Sequence, residues 1–328
     1  MRWKKSSEAC TIEKDGRKET LRAPRSFPRS PRRNGGSRRS SGSAPADLLP
    51  KFQHQHSDPK QDVNEEDNLM MNDGFFRAAA ATPAIRVADC RHNAGAVAEL
   101  MEEAAARGVQ AIVFPELCLT GYTCGDLFLQ QPLLKAAERE LAALIERTAG
   151  LPLLAAVGVP VPVNGALYNC AAVFCGGRLL GLSAKSCVPN YGEFYEARHF
   201  TPAPACIEVS FAGFTVPLGC SLLYAPEGWD DCVVGVEICE DLWAPEPPST
   251  RLALAGATLL LNLSASDEVI GKAAYRRELV RGQSARLLCG YVYADAGEGE
   301  STTDLVFSGH NLLAENGTVL AESDPFTT

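Results

Sequence analysis

Short apolar runs alternate with segments of helical spacing along most of this chain, and this alternation restricts the fold more than any other sequence feature. Residues 131–147, for example, place Leu134, Ala137, Leu141 and Leu144 on one face of a helix. Further helices are predicted at residues 94–107 and 276–288, and buried strands at residues 109–114, 151–161, 232–238, 257–264 and 291–296. An α/β protein with a buried sheet follows from this order.

Two hairpins interrupt the alternation. The runs LYNCAAVF (167–174) and RLLGLSA (178–184) flank Gly176-Gly177, and the chain closes with a second hairpin around Asn316-Gly317. Hairpins require antiparallel neighbours, whereas strands joined through helices are parallel. The sequence therefore predicts an α/β sandwich with both kinds of pairing, not a purely parallel doubly wound sheet.

Charge divides the chain into two parts. Residues 1–60 hold 15 Lys and Arg against 6 Asp and Glu, and the remainder holds 16 against 34. Because residues 22–43 consist mostly of Arg, Ser, Pro and Gly, they cannot bury enough apolar surface to fold. We expect residues 1–70 to be a disordered basic extension and residues 71–328 to be the globular part. An organelle transit peptide and a nucleic-acid tail remain alternatives for the extension, and Met70 or Met71 is a possible true start.

Composition excludes several classes of protein. No apolar run approaches the length of a transmembrane helix, so no membrane association is expected. The net charge of −9 argues against nucleic acid as a partner. A metal site is not expected, because the chain has five His and no Cys-x-x-Cys pair. Twelve cysteines, predicted to be mostly unpaired, indicate a reducing compartment and hence a cytoplasmic location.

Three ionisable residues follow directly after predicted strands, where function concentrates in α/β proteins. They are Glu116 in VFPELCLTGY, Lys185 before the loop SCVPNYGEFYE, and Cys239 in VGVEICEDLW. A thiol, a carboxylate and an ammonium together can attack an amide or nitrile carbon, move protons and stabilise an oxyanion. Taken singly, each residue has a structural alternative: a surface carboxylate, a solvated lysine and a buried apolar cysteine.

The motifs around these residues together resemble the carbon–nitrogen hydrolase (nitrilase) superfamily, whose catalytic triad is Glu, Lys and Cys. The segments NYGEFYE (190–196), 262–286 and 291–310 are similar more narrowly to the glutaminase half of glutamine-dependent NAD+ synthetases. The resemblance covers about residues 74–325. It implies the four-layer αββα sandwich of the nitrilase fold.

The resemblance also implies a role for each matching residue. Cys239 would attack the side-chain amide of glutamine to form a γ-glutamyl thioester, and Glu116 would be the general base. Lys185 would hold the oxyanion, helped by the backbone N–H of Glu240, and would also lower the pKa of the Cys239 thiol.

Tyr191, Ser266 and Lys272 match positions that contact glutamine in this family, and Lys272 offers a counter-charge for the substrate α-carboxylate. Two departures from the family pattern affect the neighbouring loops. The segment AKSC (184–187) lacks the usual flanking residues of the lysine, and Gly192 replaces a larger residue.

For cofactors and partners, the resemblance implies that the glutaminase half needs no metal or organic cofactor. ATP and Mg²⁺ belong to a synthetase domain with an SGGxDS loop, and this sequence contains no such motif. We therefore expect glutamine as substrate, a separate synthetase domain or subunit that receives ammonia, and a homo-oligomer. Two alternatives stay open: a stand-alone amidase or nitrilase acting on another small amide, and an inactive assembly module.

Overall fold

The computed structural model describes residues 3–6, 75–226, 232–303 and 305–327. In chain order the strands are β1 (Trp3–Ser6), β2 (Ala78–Ala80), β3 (Ala111–Val113), β4 (Leu154–Val163), β5 (Ala166–Cys175), β6 (Arg178–Ala184), β7 (Ile207–Phe211), β8 (Phe214–Gly219), β9 (Leu223–Pro226), β10 (Val234–Ile238), β11 (Leu259–Ser264), β12 (Gly290–Asp295), β13 (Leu312–Glu315) and β14 (Thr318–Glu322). The α-helices are α1 (Cys90–Ala106), α2 (Gln131–Arg147), α3 (Glu240–Trp243), α4 (Pro248–Leu254) and α5 (Lys272–Leu287).

These strands form two mixed sheets. The first has the order β2-β3-β4-β5-β6-β8-β7, and the second has the order β1-β9-β10-β11-β12-β13-β14. Strands β2, β3 and β4 are parallel to one another, as are β10, β11 and β12, whereas the hairpin strands are antiparallel. The predicted mixture of parallel and antiparallel pairing is confirmed.

Alternating side chains build the layers. On β3, Ala111 and Val113 pack between the two sheets, whereas Ile112 faces the outer helices α1 and α2. On β11, Leu261 and Leu263 face the first sheet, and Leu260 packs against α4 and α5. Since successive side chains of a strand point to opposite faces, each sheet has one face against the other sheet and one against helices. The expected four-layer αββα sandwich is confirmed.

Most elements lie where the sequence places them, and α2 spans residues 131–147 as predicted. Helix α1 begins four residues earlier than predicted, because the Asp89 side chain caps it by accepting a hydrogen bond from the His92 N–H at 3.1 Å. Helix α5 also begins four residues early, directly after Gly271, which has a left-handed backbone.

The predicted basic extension lies largely outside the described residues. Within it, Trp3–Ser6 forms strand β1 and pairs antiparallel with β9, so these four residues differ from the predicted disorder. Cys118, Cys170 and Cys289 are buried free thiols as expected, whereas Cys206, for which the sequence made no individual prediction, is disulfide-bonded.

Candidate active site

Glu116 lies in the turn that follows β3, at the edge where the two sheets meet. Its backbone N–H donates to the carbonyl of Ser264 in the second sheet at 3.3 Å. Gly158 on β4 packs directly against this turn, and a Cβ at that position would lie 2.2 Å from the Leu117 nitrogen. Backbone atoms of β4 and β11 therefore fix the position of the Glu116 backbone.

The Glu116 carboxylate is fully buried and hydrogen-bonded on both oxygens. Oε1 accepts from Lys185 Nζ at 2.6 Å and from Asn169 Nδ2 at 2.6 Å, and Oε2 accepts from the Ala265 N–H at 3.1 Å. These donors aim the carboxylate at the ends of β6 and β11, as a general base requires.

Lys185 follows β6, and its backbone N–H donates to the Asn169 carbonyl at 2.9 Å. Its ammonium lies between Glu116 and Glu196, 2.7 Å and 2.9 Å from the two carboxylate oxygens of Glu196. Burial alone would lower the pKa of Lys185, but the two carboxylates raise it well above its usual range. Lys185 is therefore a permanent cation inside the site.

Glu196 was not selected from the sequence, although it ends the NYGEFYE motif. It opens the short 3-10 turn Glu196–Arg198 and accepts a hydrogen bond from the Tyr122 hydroxyl at 2.8 Å. Burial raises the pKa of Glu196 to about 7, since the lowering effect of Lys185 does not offset burial and the charge of Glu116. The signal that could have identified it is a carboxylate among aromatic residues shortly after the lysine.

Cys239 directly follows β10 and lies in a sharp turn into α3. Its backbone has φ 46° and ψ −101°, a conformation that costs a non-glycine residue about 1–3 kcal/mol and is common at functional sites. The thiol is buried, and the backbone of Ala265, whose N–H donates to Glu116, acts to lower its pKa.

Lys185 acts to lower the pKa of the Cys239 thiol, as expected, but this effect does not prevail. Burial raises the pKa of the thiol well above its usual range, and Glu116 and Glu196 add to this. The site therefore favours the neutral thiol over the thiolate.

Asp241 connects the turn at Cys239 to the loop at Lys185. Its carboxylate accepts hydrogen bonds from the N–H groups of Ser186 at 3.0 Å and Cys187 at 2.7 Å. The other oxygen accepts from the Ile238 N–H at 3.0 Å. Burial raises the pKa of Asp241 to about 7.

Two of the residues predicted to bind glutamine, Tyr191 and Lys272, lie near Glu240, which directly follows Cys239. Tyr191 has an exposed ring, and its hydroxyl donates to Glu240 Oε1 at 2.8 Å. Burial raises the pKa of Glu240, while the Tyr191 hydrogen bond and the charge of Lys272 oppose this. The Lys272 ammonium is paired with Asp267.

Lys272 also lies 5.4 Å from the ring centroids of both Phe194 and Trp243. Ser266 is buried, and its backbone N–H donates to Asp295 Oδ1 at 2.8 Å. Its hydroxyl oxygen accepts from the buried Arg276 at 3.3 Å. The structure thus brings Tyr191 and Lys272 together near Glu240, whereas Ser266 is buried against Asp295 and Arg276.

A cavity of about 250 Å³ adjoins the site on the Glu196 side. Its walls include Tyr122, Glu196 and the aromatic residues Phe128, Phe194 and Phe200. Cys239 is not part of this lining, and the cavity meets the candidate site at Glu196 and Tyr122.

In the described ranges, no group of three or more His, Cys, Asp or Glu side chains is arranged to hold a metal ion. Among the helices of those same ranges, none combines the length and the apolar character needed to cross a bilayer.

Comparison with known proteins shows which family has this sequence and fold. The family model described as Carbon-nitrogen hydrolase matches residues 77–328. A glutamine-dependent NAD(+) synthetase of Mycobacterium tuberculosis (strain ATCC 25618 / H37Rv) is 44% identical over 254 residues, which cover 77% of this chain and 37% of that protein. The Homo sapiens protein of the same name is 31% identical over 251 residues, which cover 73% of this chain and 35% of its own length.

Comparison with solved structures identifies the same kind of protein. A glutamine-dependent NAD(+) synthetase from Cytophaga hutchinsonii matches with a TM-score of 0.69 and 31% identity, over 77% of this chain and 41% of that chain. An amidase from Nesterenkonia sp. shares the fold, with a TM-score of 0.57 and 20% identity over 77% of this chain and 87% of its own. This chain spans little more than a third of the curated relatives' length. It belongs to the carbon–nitrogen hydrolase family, as a homologue of part of the glutamine-dependent NAD(+) synthetases.

Proposed function

We propose that this chain hydrolyses the side-chain amide of glutamine and supplies the ammonia to NAD+ synthesis. The observation that carries the proposal is the buried Lys185–Glu116 pair, 2.6 Å apart, beside a cysteine in a strained turn. The 44% identity to glutamine-dependent NAD(+) synthetases supports glutamine as the substrate.

The first half-reaction begins with transfer of the Cys239 proton to Glu116. The thiolate attacks the amide carbon, and the oxyanion that forms is held by the Lys185 ammonium and by the backbone N–H of Glu240. Glu116 returns the proton to the amide nitrogen as the carbon–nitrogen bond breaks. Ammonia leaves, and a γ-glutamyl thioester remains on Cys239.

In the second half-reaction Glu116 takes a proton from water, and the resulting hydroxide attacks the thioester carbonyl. The carbon–sulfur bond breaks, the thiolate regains its proton, and glutamate leaves. Glu116 therefore acts twice, first for the thiol and then for water. These steps require no metal or organic cofactor, because Lys185 supplies the charge and Glu116 moves the protons.

Three residues would select glutamine. Lys272 would pair with the α-carboxylate, and Tyr191 and Ser266 would contact the rest of the amino-acid group. The Asp267 carboxylate, which pairs with Lys272, would bind the substrate ammonium. ATP and Mg²⁺ would bind to a separate synthetase domain, which would receive the ammonia.

The test is ammonia release from glutamine by the full chain, with and without a separately expressed synthetase domain. Cys239→Ala should abolish release, whereas Cys289→Ala, which removes another buried free thiol, should retain it. Stimulation by the synthetase domain is expected. Hydrolysis of other small amides but not of glutamine would indicate a stand-alone amidase, and no hydrolysis of any amide would indicate an inactive assembly module.

A further inference from the structure

The strained backbone of Cys239 is held by the side chain of a neighbouring strand. The Cys239 N–H donates to Asn262 Oδ1 at 3.3 Å. Asn262 lies on β11, which runs parallel to β10 with Asn262 opposite Glu237. A backbone at positive φ persists only where its surroundings hold it, and Asn262 supplies an acceptor at that point.

The orientation of the Asn262 amide is itself fixed. Ser264 Oγ donates to Oδ1 at 2.8 Å, and Nδ2 donates to the Tyr291 hydroxyl oxygen at 3.0 Å. The Tyr291 hydroxyl donates a hydrogen bond to the Glu237 carboxylate. Because a phenol has one proton to give, it must accept from the amide nitrogen, and this leaves Oδ1 facing Cys239.

These groups form a polar chain in an apolar layer. Asn262 and Tyr291 are fully buried and Glu237 is 2% exposed, between the second sheet and the helices α4 and α5. The Ser249 N–H at the start of α4 also donates to Glu237, at 2.7 Å. Burial of an amide, a phenol and a carboxylate is unfavourable unless all are paired, and apolar side chains would fill this layer without that requirement.

We propose that Asn262 is a positioning residue for the nucleophile, and that Tyr291 and Glu237 hold its amide in the orientation that Cys239 requires. The inference rests on the proposed function in one respect, namely that Cys239 is the attacking group. Without the Asn262 acceptor, the Cys239 backbone relaxes toward negative φ. The sulfur then moves relative to Glu116, to which it must pass its proton.

Three variants and one control test this in the full chain. Asn262→Ala removes the acceptor, and Tyr291→Phe removes only the hydroxyl that orients it. The double variant Asn262→Asp with Glu237→Gln keeps the net charge and reverses the two hydrogen bonds at the Tyr291 hydroxyl, while an oxygen still faces Cys239. Tyr224→Phe is the matched control, because Tyr224 is equally buried but its hydroxyl pairs with Ser183 at 3.0 Å.

The measurements are the rate of Cys239 alkylation by iodoacetamide, followed by peptide mass spectrometry, and kcat, KM and Tm. Misplacement of a reacting atom by about 1 Å costs about 10²-fold in rate, so Asn262→Ala should lose about that much in kcat and in alkylation rate. KM should change little, and the double variant should regain most of the rate. Tyr224→Phe should lower Tm as Tyr291→Phe does, without slowing alkylation.

Alkylation at the wild-type rate in Asn262→Ala would overturn the positioning role. A rate loss in Tyr224→Phe equal to that in Tyr291→Phe would also overturn it, because general destabilisation would then explain both. If the wild-type chain releases no ammonia from glutamine but its alkylation still depends on Asn262, the proposed substrate fails and the positioning role stands.

Discussion

Glu196 lies 2.7 Å from the ammonium nitrogen of Lys185, on the side away from Glu116. Lys185 is thus shared by two buried carboxylates, and its charge is balanced before any substrate binds. When Glu196 is protonated, it no longer balances the Lys185 charge, and the ion pair of Lys185 with Glu116 becomes stronger. The protonation of Glu196 therefore controls how tightly Lys185 holds the Glu116 carboxylate.

This relationship predicts the pH dependence of the reaction. Because the pKa of Glu196 is raised to about 7, kcat/KM should fall as pH drops below about 7. Glu196→Gln should lower kcat by about 10–100-fold and remove this acidic limb. The measurement is a pH–rate profile for glutamine hydrolysis in both proteins. Glu208→Gln, on the exposed face of β7, should keep the wild-type profile. An unchanged limb in Glu196→Gln would show that another group controls it.

The close packing around Gly158 predicts that a substitution there lowers both stability and activity. A Cβ there would lie 2.5 Å from the Pro115 oxygen and 2.8 Å from the Glu116 carbonyl carbon, and backbone atoms cannot move aside as a flexible side chain can. Gly158→Ala should cost about 1–3 kcal/mol of unfolding free energy by overpacking. Displacement of Glu116 should lower kcat by about 10²-fold.

The control is Gly282→Ala in α5, where a new Cβ meets nothing within 4 Å. It should raise the free energy of unfolding by about 0.5–1 kcal/mol and leave kcat unchanged. Denaturant unfolding and steady-state kinetics on the same samples separate the two effects. Equal activity in Gly158→Ala and the wild type would mean that the Glu116 turn is not fixed by β4.

The raised pKa of Asp241 predicts how the free energy of unfolding depends on pH. Its pKa is about 7 in the folded chain, above the usual value for aspartate, so the folded state binds the proton more tightly. Its contribution to stability is complete at low pH and is lost as pH rises toward 7. One such group gives a slope of up to about 1.4 kcal/mol per pH unit, and Asp241→Asn should reduce the wild-type slope by that amount. Urea unfolding at a series of pH values measures it, and an unchanged slope in Asp241→Asn would contradict the assignment.

The proposed role of Lys272 predicts that its substitution weakens glutamine binding without slowing the chemical step. If it pairs with the α-carboxylate of glutamine, Lys272→Met should raise KM by about 10-fold or more, with little change in kcat. Lys135→Met on the exposed face of α2 carries the same substitution and should leave KM unchanged. Steady-state kinetics with glutamine measures both. A fall in kcat at constant KM would place Lys272 with the reacting groups instead.

The proximity of the three candidate residues could be predicted because of where their strands end. Glu116, Lys185 and Cys239 each follow an apolar run, and in a sandwich of mixed sheets the ends of β3, β6 and β10 meet at one edge. Glu196 lies instead in an irregular loop with no period to mark it, and only the folded chain brings it to Lys185.

Buried polar residues explain the remaining differences between prediction and structure. The inward face of α5 includes Arg276, Gln283 and Ser284, so an apolar stripe does not mark the start of this helix. Asn262 lies in β11, a strand that is otherwise mostly Leu. Only the structure shows that its side chain faces the Cys239 backbone. Such residues violate the hydrophobic pattern, and their partners are far away in the sequence.

The most direct measurement of glutamine hydrolysis through Cys239 is detection of the acyl-enzyme. The full chain is mixed with glutamine, quenched in acid within one turnover, digested and analysed by mass spectrometry. The mechanism predicts a glutamyl adduct on the peptide that contains Cys239, and its absence in Cys239→Ala. Ammonia release without an adduct at Cys239, or an adduct on another cysteine such as Cys187, would contradict the assignment of Cys239 as the nucleophile.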